Sequence, residues 1–187
     1  MESWIFWAVL GVVVAMFITI YNRFIALRQR RKNAFSDIEV QLKLRYDLVP
    51  NLVETVKGYA THEKELFEKV TEARSTAMRG GSVSERGSAE GMLGSAMMNL
   101  MAVAENYPDL KADANFRRLQ DELSDIENKI AAARRFFNSS TNEFNAAIQQ
   151  FPAVLLAKIF NFAEADFFEL SAEEKDAVEK RPEVSFN

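Results

Sequence analysis

The side chains best placed by type to do chemistry in this sequence are His62 and the carboxylates at residues 121–127. His62 is the only histidine, with Glu63 and Glu65 close in sequence and Gly58 four positions before it. A metal centre inside a helical bundle needs a Glu-x-x-His pair on each of two helices. Here Tyr59 stands where the glutamate is required, and no second histidine exists, so that centre cannot be built. The sequence has no cysteine, which excludes thiolate metal sites, disulfides and cysteine nucleophiles. His62 is therefore expected in an ordinary half-exposed polar role.

Glu122 with Asp125, and Glu127 with Asp121 and Glu122, supply carboxylate pairs. General acid–base catalysis needs a carboxyl in a concave, partly dry setting that raises its pKa. These residues fall on the charged face of a helix, where solubility and pairing such as Asp125 with Lys129 are the expected roles. The stretch "RGGSVSERG", residues 79–87, has glycines but neither a Walker lysine nor a preceding strand, so it is not a phosphate loop. No catalytic, cofactor-binding or metal-ligating residue is expected, and the chain reads as a non-enzyme.

Those residues must be positioned by helices. The chain has 187 residues with only seven glycines and four prolines, a composition that favours long helices over a loop-rich sheet. Its length suits one compact domain plus an appendage. The net charge of −4 is unevenly placed: residues 1–35 carry +4, which leaves −8 for the rest. An acidic domain is a poor ligand for phosphate backbones, so no nucleic-acid partner is expected.

Residues 4–21, "WIFWAVLGVVVAMFITIY", contain no charge over 18 positions. As a helix they span roughly 27 Å, about the thickness of a bilayer's hydrocarbon. Trp4 and Trp7 at one end and Tyr21 at the other stand where interfacial aromatics belong. A signal peptide would want a basic start and a small-residue cleavage site, and "MES" and "MFITIYNRF" provide neither. The basic residues all follow the span, which predicts the bacterial inner membrane, a single pass, the N terminus outside and the remainder in the cytoplasm. Arg28, Arg30, Arg31 and Lys32 give a topology signal and are candidate contacts for anionic headgroups, at about 1 kcal/mol each.

From Ile38 the apolar residues follow a seven-residue repeat: Leu42, Val49, Val56, Val70 and Ala77 form one series, and Ile38, Leu52, Tyr59, Leu66 and Ala73 its companion. Arg45 and Glu63 interrupt these series and are expected near the edge of the stripe. The first helix is predicted to run from the membrane to about Met78, kinked at Pro50, whose ring crowds the Tyr46 carbonyl. Residues 79–91 read as a loop. Helical spacing resumes through Leu93, Met97, Leu100 and Ala104 until Pro108 closes it, and Asp109 or Asp113 can cap the next helix. Residues 114–151 keep a strict three-four alternation from Phe116 to Phe151. After Pro152 comes a Phe-rich stretch, then a capping-box signature at Ser171 and Glu174 for a last short helix, and a disordered tail. The predicted fold is all-α: a transmembrane anchor at 1–22, a basic juxtamembrane segment at 23–37, a bundle of long helices at 38–170, and a short helix and tail at 171–187.

"VQLKLRYDLVPNLVETVKGYATHE", "AENYPDLKA", "RRFFNSSTNEFN" and "FPAVLLAKIFNF…FFE", taken in this order, resemble the LemA family of bacterial membrane proteins. The likeness covers about residues 21–169. The family pattern places tyrosine before the asparagine near 138 and glycine near 161, where this chain has Phe137 and Asn161. The resemblance implies an N-terminal transmembrane helix and an antiparallel four-helix bundle, and it implies no enzymatic activity.

One short helix cannot bury all of the apolar side chains between residues 151 and 168. Phe160, Phe162, Phe167 and Phe168 are therefore candidate residues for a partner or membrane surface. The expected function is a membrane-anchored interaction or scaffold protein that forms homo-oligomers, contacts membrane lipid and recruits membrane or cytoplasmic proteins. A membrane-shaping role, through polymerised bundles and a Phe-rich segment lying in the membrane interface, is the alternative, and a hydrolytic or other enzymatic role is a distant third.

Overall fold

The computed structural model describes residues 3–168, which form six helices and no strand. The short helix and tail expected at 171–187 lie outside the described residues. α1 (Ser3–Lys57) is followed by α2 (Lys64–Met78), α3 (Val83–Ala104), α4 (Pro108–Ala112), α5 (Ala114–Gln149) and α6 (Ala153–Ile159).

α1 continues through Pro50 and stops at Lys57, not at Met78 as the repeat predicts. The heptad series stays in phase across residues 58–63, which hides the break. Its cause is local: Gly58 weakens the helix, and Tyr59 turns out so that its hydroxyl donates to Asp113 Oδ2 at 3.3 Å. The Tyr59 N–H bonds back only three residues, to Val56, tightening the last turn.

The expected loop at 79–91 shrinks to residues 79–82. Gly80 and Gly81 have φ values of 76° and 131°, a backbone that a side chain would strain. Ser82 then caps α3 in a reciprocal box: its hydroxyl accepts from the Glu85 N–H, and the Glu85 carboxylate accepts from the Ser82 N–H. Gly87 and Gly91, four apart on α3, are buried. They lie inside the helix and do not break it. At the other end of this region Pro108 occupies the first turn of α4, and Asp113 caps α5 by accepting from the Phe116 N–H at 2.8 Å.

The chain divides into two compact units, to each of which α1 and α5 contribute one segment. The first combines Met1–Ile38 with Ala132–Phe167, and so absorbs the juxtamembrane residues 23–37. Its core gathers Phe24, Phe144, Ala147, Ile148, Leu156 and Ala157. The second is built around Glu39–Ala131. There α2 packs on α3, and Leu42, Val49, Leu52, Val56, Val70, Leu93, Leu100 and Leu110 are buried almost completely. Each such side chain contributes about 1.5–3 kcal/mol by leaving water. Residues 4–18 are different: apolar and mostly exposed, with none of the most apolar 18-residue window of α1 buried in protein.

Candidate functional site

The second unit holds a charged cluster in its interior. Arg45, expected at the edge of a stripe, is only 2% exposed, and Glu90 on α3 only 1%. A lone buried charge is costly, so the guanidinium must be compensated. Arg45 Nη2 pairs with Glu90 Oε2, and Nη1 donates to Glu127 Oε1 at 2.9 Å. The Tyr46 hydroxyl donates to Glu90 Oε1 and lies 3.3 Å from the Ala77 carbonyl oxygen. Glu127, whose side chain remains 43% exposed, reaches Arg45 from α5 and so adds an ion pair to its place on the solvated face. Glu39 on α1 accepts from Arg86 Nη1 of α3 at 2.7 Å.

This cluster ties α1, α2, α3 and α5 together, and its enclosure leaves no path for a substrate to Glu90. An open groove of about 750 Å³ in the same unit is lined by residues that include Val53, Lys57, Thr61, Lys64, Phe67 and Thr71. Glu54 and Glu68, which also line it, are largely exposed. His62 is exposed in the turn between α1 and α2.

Pro50 has a precise local effect. It lacks the N–H that would bond the Tyr46 carbonyl four residues back. Arg74 Nε of α2 donates to that oxygen at 2.7 Å.

In the first unit, α1 and α5 run antiparallel. Phe35 meets Phe137 with ring centroids 5.4 Å apart, Arg31 Nε donates to Thr141 Oγ1 at 3.0 Å, and Arg30 Nη1 pairs with Glu143 Oε2 at 2.8 Å. Much of the basic run is therefore engaged within the fold. Arg31 also donates to the Asp166 carbonyl at 2.7 Å and stacks 4.7 Å from the Phe137 centroid. Burial pushes its pKa down, with the Asp166 carboxylate opposing. Arg28 lies 5.5 Å from the Phe162 ring centroid, and Lys32 is exposed.

Residues 162–168 have no regular structure but are firmly held. Asn145 Nδ2 donates to the Ala165 carbonyl at 3.0 Å while Asn145 Oδ1 accepts from the Ala165 N–H at 2.9 Å. The turn into this segment passes through Asn161 at φ 55°, the left-handed region that favours glycine and tolerates asparagine. Phe162 consequently packs on Tyr21, Phe24 and Phe144. Phe168 is 3% exposed. Both aromatics, expected on an outer surface, are taken up by the fold. Phe160 and Phe167 remain exposed, joined by Phe151, Leu155 and Ile159.

Trp4 and Trp7 are about two-thirds exposed and Tyr21 about one-third. An uncovered apolar helix of this length is what membrane anchoring requires, and a buried core helix would have been covered.

The chain is similar to magnetosome protein MamQ of Magnetospirillum gryphiswaldense, 26% identical over 174 residues, covering 79% of this chain and 64% of the relative. It therefore spans a little under two thirds of that protein's length. Magnetosome protein MamQ 2 of Paramagnetospirillum magneticum is 26% identical over 190 residues, covering 87% and 70%. Protein LemA of Metamycoplasma hominis is 25% identical over 168 residues, covering 89% and 76%. The LemA family model matches residues 34–186, which contain the buried Arg45 cluster, the Arg74 contact and the Asn145 clamp, and the chain belongs to the LemA family.

Proposed function

We propose that this chain is a membrane-anchored scaffold that self-associates at the bacterial inner membrane and recruits other proteins there, with its helical bundle on the cytoplasmic side. The observation that carries the reading is the uncovered apolar stretch 4–21, continuous in one helix with residues that build a packed core. The function is binding and not turnover. In support, the buried Glu90 ties helices together through Arg45 and Tyr46, and the second unit keeps large apolar side chains on its surface. Val40 and Leu44, one turn apart on α1, are exposed, as are Met92 and Met98 on α3. Such side chains suit contact with another chain. The basic residues after the span support the cytoplasmic placement.

Because the chain has no cysteine, Val40→Cys and Leu44→Cys can report self-association directly in native membranes. Disulfide-linked dimers at these positions, and none at Ser139→Cys, are expected on mild oxidation; monomers throughout would sink the scaffold reading. Orientation is tested by external protease on sealed spheroplasts, which should spare the bundle. A membrane-shaping role, in which polymerised bundles deform the bilayer, is the second reading. It is favoured by the apolar side chains exposed beside the span, and tubulation of vesicles by the full chain distinguishes it.

A further inference from the structure

The exposed apolar residues of α6 lie at a definite height along α1. The antiparallel contacts step in opposite directions: residue 35 with 137, 31 with 141, 30 with 143. Continued to the end of α5, the same register brings residues 149–151 level with residues 23–21. Tyr21 closes the stretch 4–21, two residues before Arg23. Phe160 meets Tyr21 with the rings tilted by 59° and centroids 5.0 Å apart, and Ile20 packs against the cluster that contains Leu156 and Ala157. The inner face of α6 is thereby fixed to α1 where the span ends.

The exposed apolar side chains here form a ridge. Leu155 and Ile159, one turn apart on α6, are 52% and 69% exposed, with Phe151 just before the helix at 82% and Phe160 just after it at 51%. Lys158, in the last turn, is exposed and able to carry its charge into the headgroups while its stem lies along the ridge. A ridge like this in bulk water would be unfavourable, whereas at the border of the hydrocarbon it meets its own kind of surface.

We propose that the ridge formed by Phe151, Leu155, Ile159 and Phe160 is seated in the interfacial layer of the same bilayer that α1 enters. The occupant is lipid, because the ridge is continuous with the exposed apolar surface of the span at Tyr21. The first unit is then held against the membrane at two points and is not a domain swinging on a tether. This inference rests on the anchoring reading above.

The test uses the full chain in vesicles of phosphatidylcholine and phosphatidylglycerol, with single cysteines spin-labelled at Phe151→Cys, Leu155→Cys and Ile159→Cys. Phe17→Cys serves as the reference for lipid and Ser139→Cys as the reference for water. Each protein is first matched to the parent in helix content, and three ridge positions guard against one that perturbs the fold. At the ridge, oxygen should relax the label several-fold more effectively than a water-soluble nickel chelate, as at position 17, and tenfold dilution in lipid should change nothing. If the ridge behaves like position 139 while position 17 remains in lipid, the proposal is overturned and the anchor stands. If position 17 itself reads as water, the anchor fails and the proposal with it. Low access to both reagents that rises on dilution would show a second copy on the ridge, and would also overturn it.

Discussion

Arg74 occupies the place that Pro50 leaves empty: its Nε donates at 2.7 Å to the Tyr46 carbonyl, the acceptor a helical N–H at residue 50 would have used. The proline therefore interrupts α1's hydrogen-bond ladder at the one carbonyl that α2 needs, while α1 itself remains helical to Lys57. This turns a residue that ordinarily costs a helix about 3 kcal/mol into a docking point between two helices.

Arg74 and Pro50 should consequently be coupled. Arg74→Met should destabilise the parent by about 1–2 kcal/mol, the loss of a charged donor to a carbonyl. In a Pro50→Ala background the restored N–H satisfies Tyr46, so the same change should cost less. Chemical denaturation of the four proteins of the double-mutant cycle measures the difference. Equal costs in both backgrounds would separate the two residues.

Arg45→Met should be far more harmful than its size suggests. It leaves Glu90 buried without its cation, and removing one partner of a buried pair costs about 3–5 kcal/mol. Arg45→Met with Glu90→Gln should recover much of that loss, since the neutral amide can keep the Tyr46 bond. Thermal unfolding followed by circular dichroism gives both values; a single variant as stable as the parent would contradict the cluster's role.

Asn145→Ala removes both bonds to Ala165 and should release residues 162–168 without unfolding the helices. The expected loss is about 1–3 kcal/mol, locally expressed. Limited proteolysis should open new cleavage sites after Phe160 and before Phe168. No change in the cleavage pattern would mean that Arg31 and Phe162 hold the segment by themselves.

Asn161→Gly should be neutral or slightly stabilising, because glycine adopts the left-handed backbone freely. Asn161→Val should cost about 1–2 kcal/mol at the same position. The pair of thermal midpoints provides the check, with valine expected lower.

The start of α3 should loosen in acid. The Glu85 carboxyl lies below the ordinary carboxylate range, chiefly because the Ser82 backbone N–H bonds its charged form. Its stabilising effect is complete above the ordinary range and is lost as pH falls through the lowered value. Amide exchange at residues 82–86 should accelerate across that window, and Glu85→Gln should flatten the dependence. A wild-type profile without any acid limb would rule the cap out as its source.

The long helices were legible because three-four spacing survives in any order of side chains that keeps one face apolar; residues 116–147 needed nothing more. Turns at 58–63 and 79–82 were harder. The heptads stayed in phase across the first, and four glycines close together overstated the second, since Gly87 and Gly91 sit inside α3. Arg45 could be seen as an intrusion into an apolar series, but its acid partners come from α3 and α5, far away in sequence. The role of Glu90 was hidden because its stretch reads as loop. Phe162 looked like surplus surface because nothing local announces that Asn145 clamps Ala165. Asn161 carried a usable clue: glycine in the family pattern there corresponds to the positive φ that this chain meets with asparagine.

The unbroken run of α1 from the apolar stretch into the folded core has a mechanical consequence. With no hinge between Trp4 and Phe24, the span and the first unit behave as a keyed shaft. Inserting one residue between them would turn the buried faces by about 100° relative to the anchor and shift them by 1.5 Å. Any torque the bilayer places on the anchor is therefore delivered to the helix that carries Arg31 and Phe35, not dissipated in a swivel.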